Sequence, residues 1–163
     1  MNKKAIAVLS GLTGMVVGTS LGIGIVSKTI GNSEQKIQKM AEKHFALFLL
    51  MNQWVKVKQK GKNLSSYFEK RGYHNIAIYG MSYVGETLVD ELMGTGINIA
   101  YGIDQNADGL YSDIDVVSLD EVLDDVDVIV VTAITFFNEI EKKLKEKTTA
   151  PIISLEEIIS DLE

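Results

Sequence analysis

The chain has 163 residues, no cysteine and only one proline. Without cysteine it can form neither disulfides nor thiolate metal sites, and it has no cysteine nucleophile. This absence agrees with a cytoplasmic protein. The one proline, Pro151, precedes the last predicted strand, where a missing N–H group does least harm to a sheet.

Basic residues are scarce in the second half of the chain. Residues 1–75 carry a net charge of +9, whereas residues 76–163 carry 4 lysines against 19 acids, a net charge of −15. Because nucleic-acid phosphates are bound by basic surfaces, this imbalance argues against nucleic acid as a partner of the C-terminal part.

An uncharged run extends from Ala5 to Ser27. At about 1.5 Å per residue, a helix of this length crosses a hydrocarbon core of about 30 Å. The run is longer than the roughly 7–15 apolar residues of a secretory signal, and no Ala-x-Ala site closes it. A retained single-span membrane anchor over residues 1–28 is therefore predicted, with a signal peptide as the alternative.

Lysines flank the uncharged run unevenly, and the larger group follows it. Lys3 and Lys4 precede the run, whereas four lysines follow closely: Lys28, Lys36, Lys39 and Lys43. Cytoplasmic flanks carry an excess of basic residues, so the sequence predicts a protein of the cell membrane whose C-terminal domain is cytoplasmic.

Glycines recur every four residues within the predicted anchor. Gly14, Gly18 and Gly22 would line one face of a helix. Small residues at this spacing let two membrane helices approach closely, so a homodimer through this face is a possible assembly.

Residues 29–62 are predicted to form an amphipathic juxtamembrane helix and a basic linker. Apolar residues recur at steps of three and four, which favours a helix over Ser33–Lys60. The apolar patch at 45–51 is too short to span a bilayer. It is expected to pack on the following domain, to lie in the membrane interface or to meet a partner helix. Trp54 is expected to be a core aromatic.

A second basic cluster closes this predicted helix and is formed by Lys56, Lys58, Lys60 and Lys62. Two interpretations are equally open. The cluster either contacts an anionic inner leaflet or forms a solvated helix end.

Strands and helices alternate after residue 63. Asn63 is expected to cap a short helix that ends at Gly72. Strands are predicted at 75–79, 97–103, 115–118, 126–132 and 151–154, and helices at 84–93, 119–124, 135–147 and 155–161. This alternation predicts an α/β fold over residues 63–163, with one Rossmann-like parallel sheet of about five strands in the order 3-2-1-4-5.

The first strand leads through a glycine turn into a helix, in the segment Gly80-Met-Ser-Tyr-Val-Gly85. A dinucleotide fingerprint places glycines at the first, third and sixth positions of such a segment. Here those positions hold Gly80, Ser82 and Gly85. The serine takes the place of the glycine that allows the closest approach of a pyrophosphate, yet its hydroxyl can donate to a phosphate lying farther out. The helix N-terminus also offers free N–H groups to an anion.

Asp104 follows the second strand, 24 residues after Gly80. A Rossmann unit keeps its ribose-binding acid near this position. The pattern therefore indicates a binding site without naming a reaction. The alternative interpretation is a Rossmann-like domain that keeps the turn and binds no ligand.

A second motif overlaps the segment after Asp104. Residues 104–115 fit a calcium loop, with oxygen ligands Asp104, Asn106 and Asp108 at positions 1, 3 and 5, and Asp115 at position 12. Position 12 holds Asp where Glu is usual, and a strand precedes the loop where a helix is usual. Calcium binding is therefore a lesser alternative.

Several segments together resemble the small Rossmann-type nucleotide- and CoA-binding domains of bacterial cell-surface polysaccharide biosynthesis proteins. Those domains precede the catalytic part of membrane-bound nucleotide-sugar dehydratases and epimerases, or stand before sugar acetyltransferases. The similar segments, within residues 73–163, are Gly80–Gly85, the strand ending in Ile103-Asp104, Val116–Val122, Asp127–Ala133 and Ile152–Leu155.

The resemblance implies a nucleotide, nucleotide-sugar or CoA ligand, with NAD(P) and acyl-CoA among the candidate cofactors. It also implies a set of binding residues: Gly80, Met81, Ser82, Tyr83, Gly85, Asp104, Thr132 and Ala133.

Comparison with the enzymes of that group favours a binding role for this chain over a catalytic one. Reductase-type members use a Tyr-x-x-x-Lys pair for proton transfer, which this sequence lacks, and no catalytic domain follows before Glu163. A binding subunit is expected, and no catalytic residue is assigned. The alternative is a ligand-free scaffold whose amphipathic helix recruits a glycosyltransferase or a similar enzyme.

Overall fold

The computed structural model describes residues 34–109 and 112–163. The predicted anchor and its glycine face lie outside these residues. Within the described ranges, no helix combines the length and the apolar character needed to cross a membrane.

Helix α1 covers residues 34–59. The later elements are α2 Ser65–Arg71, β1 Asn75–Tyr79, α3 Tyr83–Leu92, β2 Asn98–Ile103, β3 Val116–Val117, β4 Val128–Val131, α4 Phe137–Leu144, β5 Ile152–Ser154 and α5 Leu155–Leu162, with short 3-10 turns at Ala107–Gly109 and Ile134–Phe136.

The five strands form one parallel sheet in the order β3-β2-β1-β4-β5. The predicted α/β class and strand order are therefore confirmed. The chain builds outward from β1 through β2 to β3, and then returns to place β4 on the other side of β1. In open sheets of this kind, ligands bind outside the carboxyl ends of the strands at the point where the order reverses. Here that point lies between β1 and β4.

Apolar side chains cover both faces of the sheet. Along β1, Ile76 and Ile78 face a core shared with α1, α2, α3 and α5, whereas Ala77 and Tyr79 face a core shared with α4. Successive residues of a strand point to opposite faces, so a strand that is apolar at every position is stable only between two layers of helices.

The second half of α1 belongs to the sheet domain. Residues 46–163 form one compact unit, and Leu50, Trp54 and Val57 of α1 are at most 3% exposed in its core. The expectation that Trp54 is a core aromatic is confirmed. The apolar patch at 45–51 divides between two environments, because Leu50 is buried whereas Phe48 remains 65% exposed.

The basic cluster at the end of α1 makes intramolecular contacts. Lys58 Nζ lies 2.8 Å from Glu91 Oε1 of α3. Lys60 Nζ donates to the carbonyl of Glu163, and Lys62 Nζ donates to that of Leu162, both at 2.6 Å. The last carbonyls of a helix carry partial negative charge, and cations near them are stabilising. Three of the four lysines thus bind an acidic side chain or a backbone carbonyl of this domain. These intramolecular contacts were not predicted from the sequence.

Two local predictions are wrong. Asn63 does not cap α2, whose N-cap is Leu64, because the Asn63 side-chain oxygen instead accepts a hydrogen bond from Lys58 Nζ. The helix predicted at 119–124 is absent, and these residues form a turn followed by irregular structure. Leu119 and Leu123 of this segment still pack, partly buried, against the core on the α4 side of the sheet, whereas Val122 is 92% exposed. Glu121 Oε1 accepts a hydrogen bond from the Ser118 N–H at 2.7 Å, so the chain buries its leucines from a turn and does not form a helix.

A carboxylate joins the start of β1 to the start of β4. Asp127 Oδ2 accepts hydrogen bonds from the backbone N–H groups of His74 and Asn75, both at 2.7 Å. In return, the Asp127 N–H donates to the carbonyl of Asn75 at 2.7 Å. The bonds from Asn75 and His74 hold the pKa of Asp127 below its ordinary value of 3.8.

Replacement of Asp127 by asparagine is expected to destabilise the protein at neutral pH, because the charged acceptor of two N–H groups is lost. A pKa that is lower in the folded state contributes stability above the ordinary value, and that contribution disappears as the pH falls through the folded-state value. Urea unfolding of the two proteins should therefore differ most near neutrality, and the gap should narrow below pH 3.8. Asp125→Asn, which removes a neighbouring surface carboxylate that does not bridge the strands, is the control. If the difference in unfolding free energy between the protein and Asp127→Asn stayed constant with pH, the result would contradict the role of the charged Asp127 carboxylate as acceptor of the two N–H groups.

Candidate functional site

The candidate site lies at the carboxyl end of the sheet, where β1 turns into α3. Gly80 follows β1 with a φ of +94°, a conformation that side-chain-bearing residues rarely adopt. A Cβ at this position would also lie 2.7 Å from Thr132 Oγ1. Both the backbone angle and the neighbouring strand therefore require glycine at the first position of the turn.

Gly85 allows the helix to approach the turn. A Cβ on Gly85 would lie 2.3 Å from the carbonyl oxygen of Gly80. This close contact is the role that the third glycine of a dinucleotide fingerprint fulfils in helix packing. The segment thus keeps the tight turn and the close helix approach that the sequence indicated.

Ser82 occupies the middle position and is the N-cap of α3. Its φ of −87° and ψ of −169° are ordinary extended values, and its side chain makes no capping hydrogen bond. The residue is exposed, so its hydroxyl is free to meet a ligand. The first N–H groups of α3 have no acceptor within the helix, and they lie beside this hydroxyl.

Met81 and Asp104 are joined by a hydrogen bond. The Met81 side chain is 1% exposed and packs where a Cβ on Gly102 would otherwise lie, 2.8 Å from Met81 Cγ. Only its backbone can reach a ligand, and its N–H already donates to Asp104 Oδ2 at 2.9 Å. Asp104 Oδ1 accepts from the Asn106 N–H at 3.0 Å. Asp104 therefore orients the glycine turn, and the outer lone pairs of its oxygens remain for a ligand hydroxyl.

Thr132 supports the turn from the opposite side. Its side chain is 2% exposed, and its hydroxyl lies 2.5 Å from the carbonyl of Gly80 and 3.1 Å from that of Tyr79. Thr132 was expected to be a ligand-binding residue, but its hydroxyl donates to the backbone. The half-buried Ala133 follows it and opens the loop after β4.

The structure brings the eight predicted residues together. Hydrogen bonds connect Asp104 to Met81 and Thr132 to Gly80, so the ends of β2 and β4 hold the turn after β1 between them. Ser82 and Tyr83 continue from the same turn, and Tyr83 is 87% exposed. The accessible groups at this edge include the Ser82 hydroxyl, the Tyr83 ring, the outer lone pairs of Asp104 and the N–H groups at the start of α3.

Two clefts adjoin the loop after β4. One of about 380 Å³ lies against the start of α4 and α5, and the other of about 310 Å³ lies between this loop and α1. Ile134, Thr135 and Glu156 line both clefts. Each volume lies in the range of about 300–1,000 Å³ that small-molecule sites occupy. Sequence reasoning missed Thr135 and Glu156, because neither belongs to a recognisable motif.

Tyr79 is a further polar group at the end of β1 that the sequence did not single out. Burial raises the pKa of its phenol, the nearby Asp104 adds to this effect, and a hydrogen bond with Gln105 opposes it. The phenol is therefore protonated at neutral pH. Its position as the last residue of β1 was the only signal that could have placed it here.

The edge carries no basic side chain. The segments that follow the three central strands, 80–83, 104–109 with 112–115, and 132–136, contain no lysine or arginine. All four lysines of residues 76–163 lie between 142 and 147. A phosphate bound at this edge would therefore depend on N–H groups and hydroxyls.

The predicted calcium loop covers residues 104–115, which begin with Asp104 of the candidate site. Asp104 directs its two oxygens to the N–H groups of Met81 and Asn106, and Asp108 lies in the 3-10 turn Ala107–Gly109. Within the residues that the structure describes, no group of three or more acidic or histidine side chains is placed to hold a metal ion. Calcium binding by Asp104, Asn106, Asp108 and Asp115 stays a prediction.

Comparison of the chain with protein-family models, with curated proteins and with solved structures returned no match.

Proposed function

We propose that this chain is a membrane-anchored module that binds a nucleotide, a nucleotide sugar or a CoA ligand at the carboxyl end of β1. The observation that carries the proposal is the glycine turn, which Asp104 and Thr132 hold from two neighbouring strands while Gly85 lets α3 approach it. A turn held from both sides before any ligand arrives costs little ordering free energy on binding.

Each accessible group has a role in this proposal. The free N–H groups of α3 and the Ser82 hydroxyl bind a phosphate, and the helix dipole favours its negative charge. The outer lone pairs of Asp104 accept from a sugar hydroxyl. The exposed ring of Tyr83 offers a flat apolar surface to the organic part of the ligand.

The cellular role proposed for the module follows from the sequence. The uncharged run Ala5–Ser27 would hold the protein at the membrane with the sheet domain in the cytoplasm. The resemblance to domains of polysaccharide biosynthesis proteins favours an accessory role in cell-surface polysaccharide synthesis. In that role the module supplies or senses an activated precursor for a membrane enzyme.

Thermal unfolding of the full chain with NAD(H), NADP(H), nucleotide sugars, acetyl-CoA or calcium, each added alone, tests the proposal. One nucleotide-type class is expected to raise the unfolding temperature. A ligand at 100 times its dissociation constant adds about 2.7 kcal/mol of stability. Ser82→Asp is expected to abolish the shift, because it places a negative charge beside the phosphate.

The design of this variant separates binding from folding. The Ser82 side chain makes no capping bond, and aspartate is as good an N-cap as serine, so the variant should fold normally. Ser160→Asp, at an exposed position of α5, is the matched control and should keep the shift. A shift with calcium alone would support the calcium loop in place of a nucleotide site. No shift with any compound would leave the binding proposal without support.

A ligand-free scaffold is the second candidate, and the exposed apolar residues of α1 favour it. Phe48 is 65% and Leu49 45% exposed, although both lie on a helix whose other face is buried. Exposed apolar clusters mark interaction surfaces. Loss of partner association in Phe48→Glu, together with an unchanged response to every ligand, would favour the scaffold.

A further inference from the structure

A groove runs between α1 and α3 on the surface of the sheet domain. It has a volume of about 400 Å³, and most of its lining is apolar. Met51, Trp54 and Val55 of α1 form one wall, and Thr87 and Glu91 of α3 form the other. The Lys58–Glu91 ion pair, at 2.8 Å, neutralises the charges at one end of the groove.

A ridge of exposed apolar side chains lies beside the groove. Val55 is 50% exposed and Phe48 is 65% exposed, and their spacing of seven places them on one face of α1, two turns apart. Water therefore contacts a groove and an adjoining ridge that are both apolar.

We propose that a second copy of this chain covers this surface, with α1 of each copy lying in the groove of the other. A two-fold interface must be self-complementary, because the same patch meets itself. A ridge that lies directly beside a groove meets this requirement, since a two-fold rotation places each ridge over the groove of the other copy. Helix packing of ridges into grooves has the same geometry.

Charge complementarity supports this occupant. When α1 lies in the groove of the other copy, its flank away from its own groove faces the other α3. That flank carries Lys56, which is exposed and makes no ion pair among the described residues. The outer surface of α3 carries the exposed Glu86 and Asp90. The rotation creates this pairing twice, so each dimer gains two attractions between opposite charges.

The absence of cysteine gives a direct test with the full chain in mild detergent. Val55→Cys introduces a unique thiol that the proposed arrangement places close to the thiol of the second copy, so oxidation is expected to yield a disulfide-linked dimer. A disulfide requires Cβ atoms about 3.8 Å apart, so only a specific contact forms it efficiently. Val122→Cys, at a 92% exposed loop position, is the matched control and should stay monomeric under the same oxidation.

Charge exchange tests the pairing itself. In the Val55→Cys background, Lys56→Glu and Asp90→Lys should each weaken self-association about tenfold, because two like-charge contacts replace two attractive ones. Mixing the two variants should restore cross-linking between them, since both contacts then join opposite charges. Neither residue contacts the core, so circular dichroism should show unchanged folding.

Three results with the variants of the sheet domain would overturn the proposal. One is equal cross-linking of Val55→Cys and Val122→Cys, and another is no cross-linking of Val55→Cys. The third is failure of the mixed charge variants to associate. A dimer that forms through the glycine face predicted for residues 14–22 is distinguished by Gly18→Leu, which should leave the Val55→Cys cross-link unchanged. Loss of the cross-link in Gly18→Leu would assign the assembly to that face instead.

Discussion

Replacing Gly85 by alanine is expected to lower the free energy of unfolding by about 3 kcal/mol. The added Cβ would lie 2.3 Å from the carbonyl oxygen of Gly80, a separation that atoms do not tolerate. The neighbouring atoms belong to the backbone of a turn that Asp104 and Thr132 hold in place. Relief would therefore require α3 to move away from the sheet, which disrupts the buried contacts of Val84 and Leu88. Chemical denaturation monitored by circular dichroism measures the loss.

Gly96→Ala is the control for this substitution. Gly96 also lies in the sheet domain, but a Cβ there would meet nothing within 4 Å, and its φ is not positive. Its replacement should change the unfolding free energy by at most about 1 kcal/mol, in the stabilising direction, because alanine restricts the unfolded chain. If the two variants had equal free energies of unfolding, the result would contradict the close contact between Gly85 of α3 and the Gly80 carbonyl.

A fragment that begins at residue 63 is expected to be far less stable than one that begins at residue 46. The shorter fragment lacks Leu50, Trp54 and Val57, which are at most 3% exposed in the core. Burial of each such side chain contributes about 1.5–3 kcal/mol. Their combined loss is comparable with the whole stability of a typical domain, about 5–15 kcal/mol. Urea unfolding should show a cooperative transition for residues 46–163 and a weak or absent one for residues 63–163.

A pair of neighbouring substitutions checks the same point within the intact chain. Trp54→Ala should cost about 3–5 kcal/mol, since it leaves a cavity in the core. Val55→Ala, on the exposed side of the same helix turn, should cost less than about 1 kcal/mol. Similar stability of the two fragments, or a negligible effect of Trp54→Ala, would contradict the assignment of α1 to the domain.

The sheet was predictable because its strands are short apolar runs separated by helices with clear punctuation. β1 is apolar from Ile76 to Tyr79, and Gly80 ends it in a turn. Such runs need cover on both faces, and the right-handed crossover then leaves few possible strand orders. The segment 119–124 misled the prediction because its leucines and valine have helical spacing, yet Leu119 and Leu123 pack against the core from a turn while Val122 is exposed. Apolar spacing indicates that side chains can be buried together, but it does not establish that the backbone between them is helical.

The candidate site was partly predictable for the same reason. Gly80 and Gly85 are required by backbone geometry, which leaves a local signal in the sequence. The role of Thr132 was not predictable, because its hydroxyl meets the Gly80 carbonyl across 52 residues of chain. Asp104 also serves a purpose that its position alone does not reveal, since it orients Met81 before it meets any ligand.

The order of apolar runs, turns and glycines along the chain was enough to determine the α/β class, the parallel sheet and the glycine turn, because these depend on contacts within a few residues or on strong topological rules. Only the tertiary structure decided where the domain begins, how Lys58, Lys60 and Lys62 are used, and which apolar face of α1 stays exposed. Those outcomes depend on which distant surfaces meet. A helix with apolar residues on two sides buries the side against which the sheet and α3 pack, and local sequence does not encode that choice.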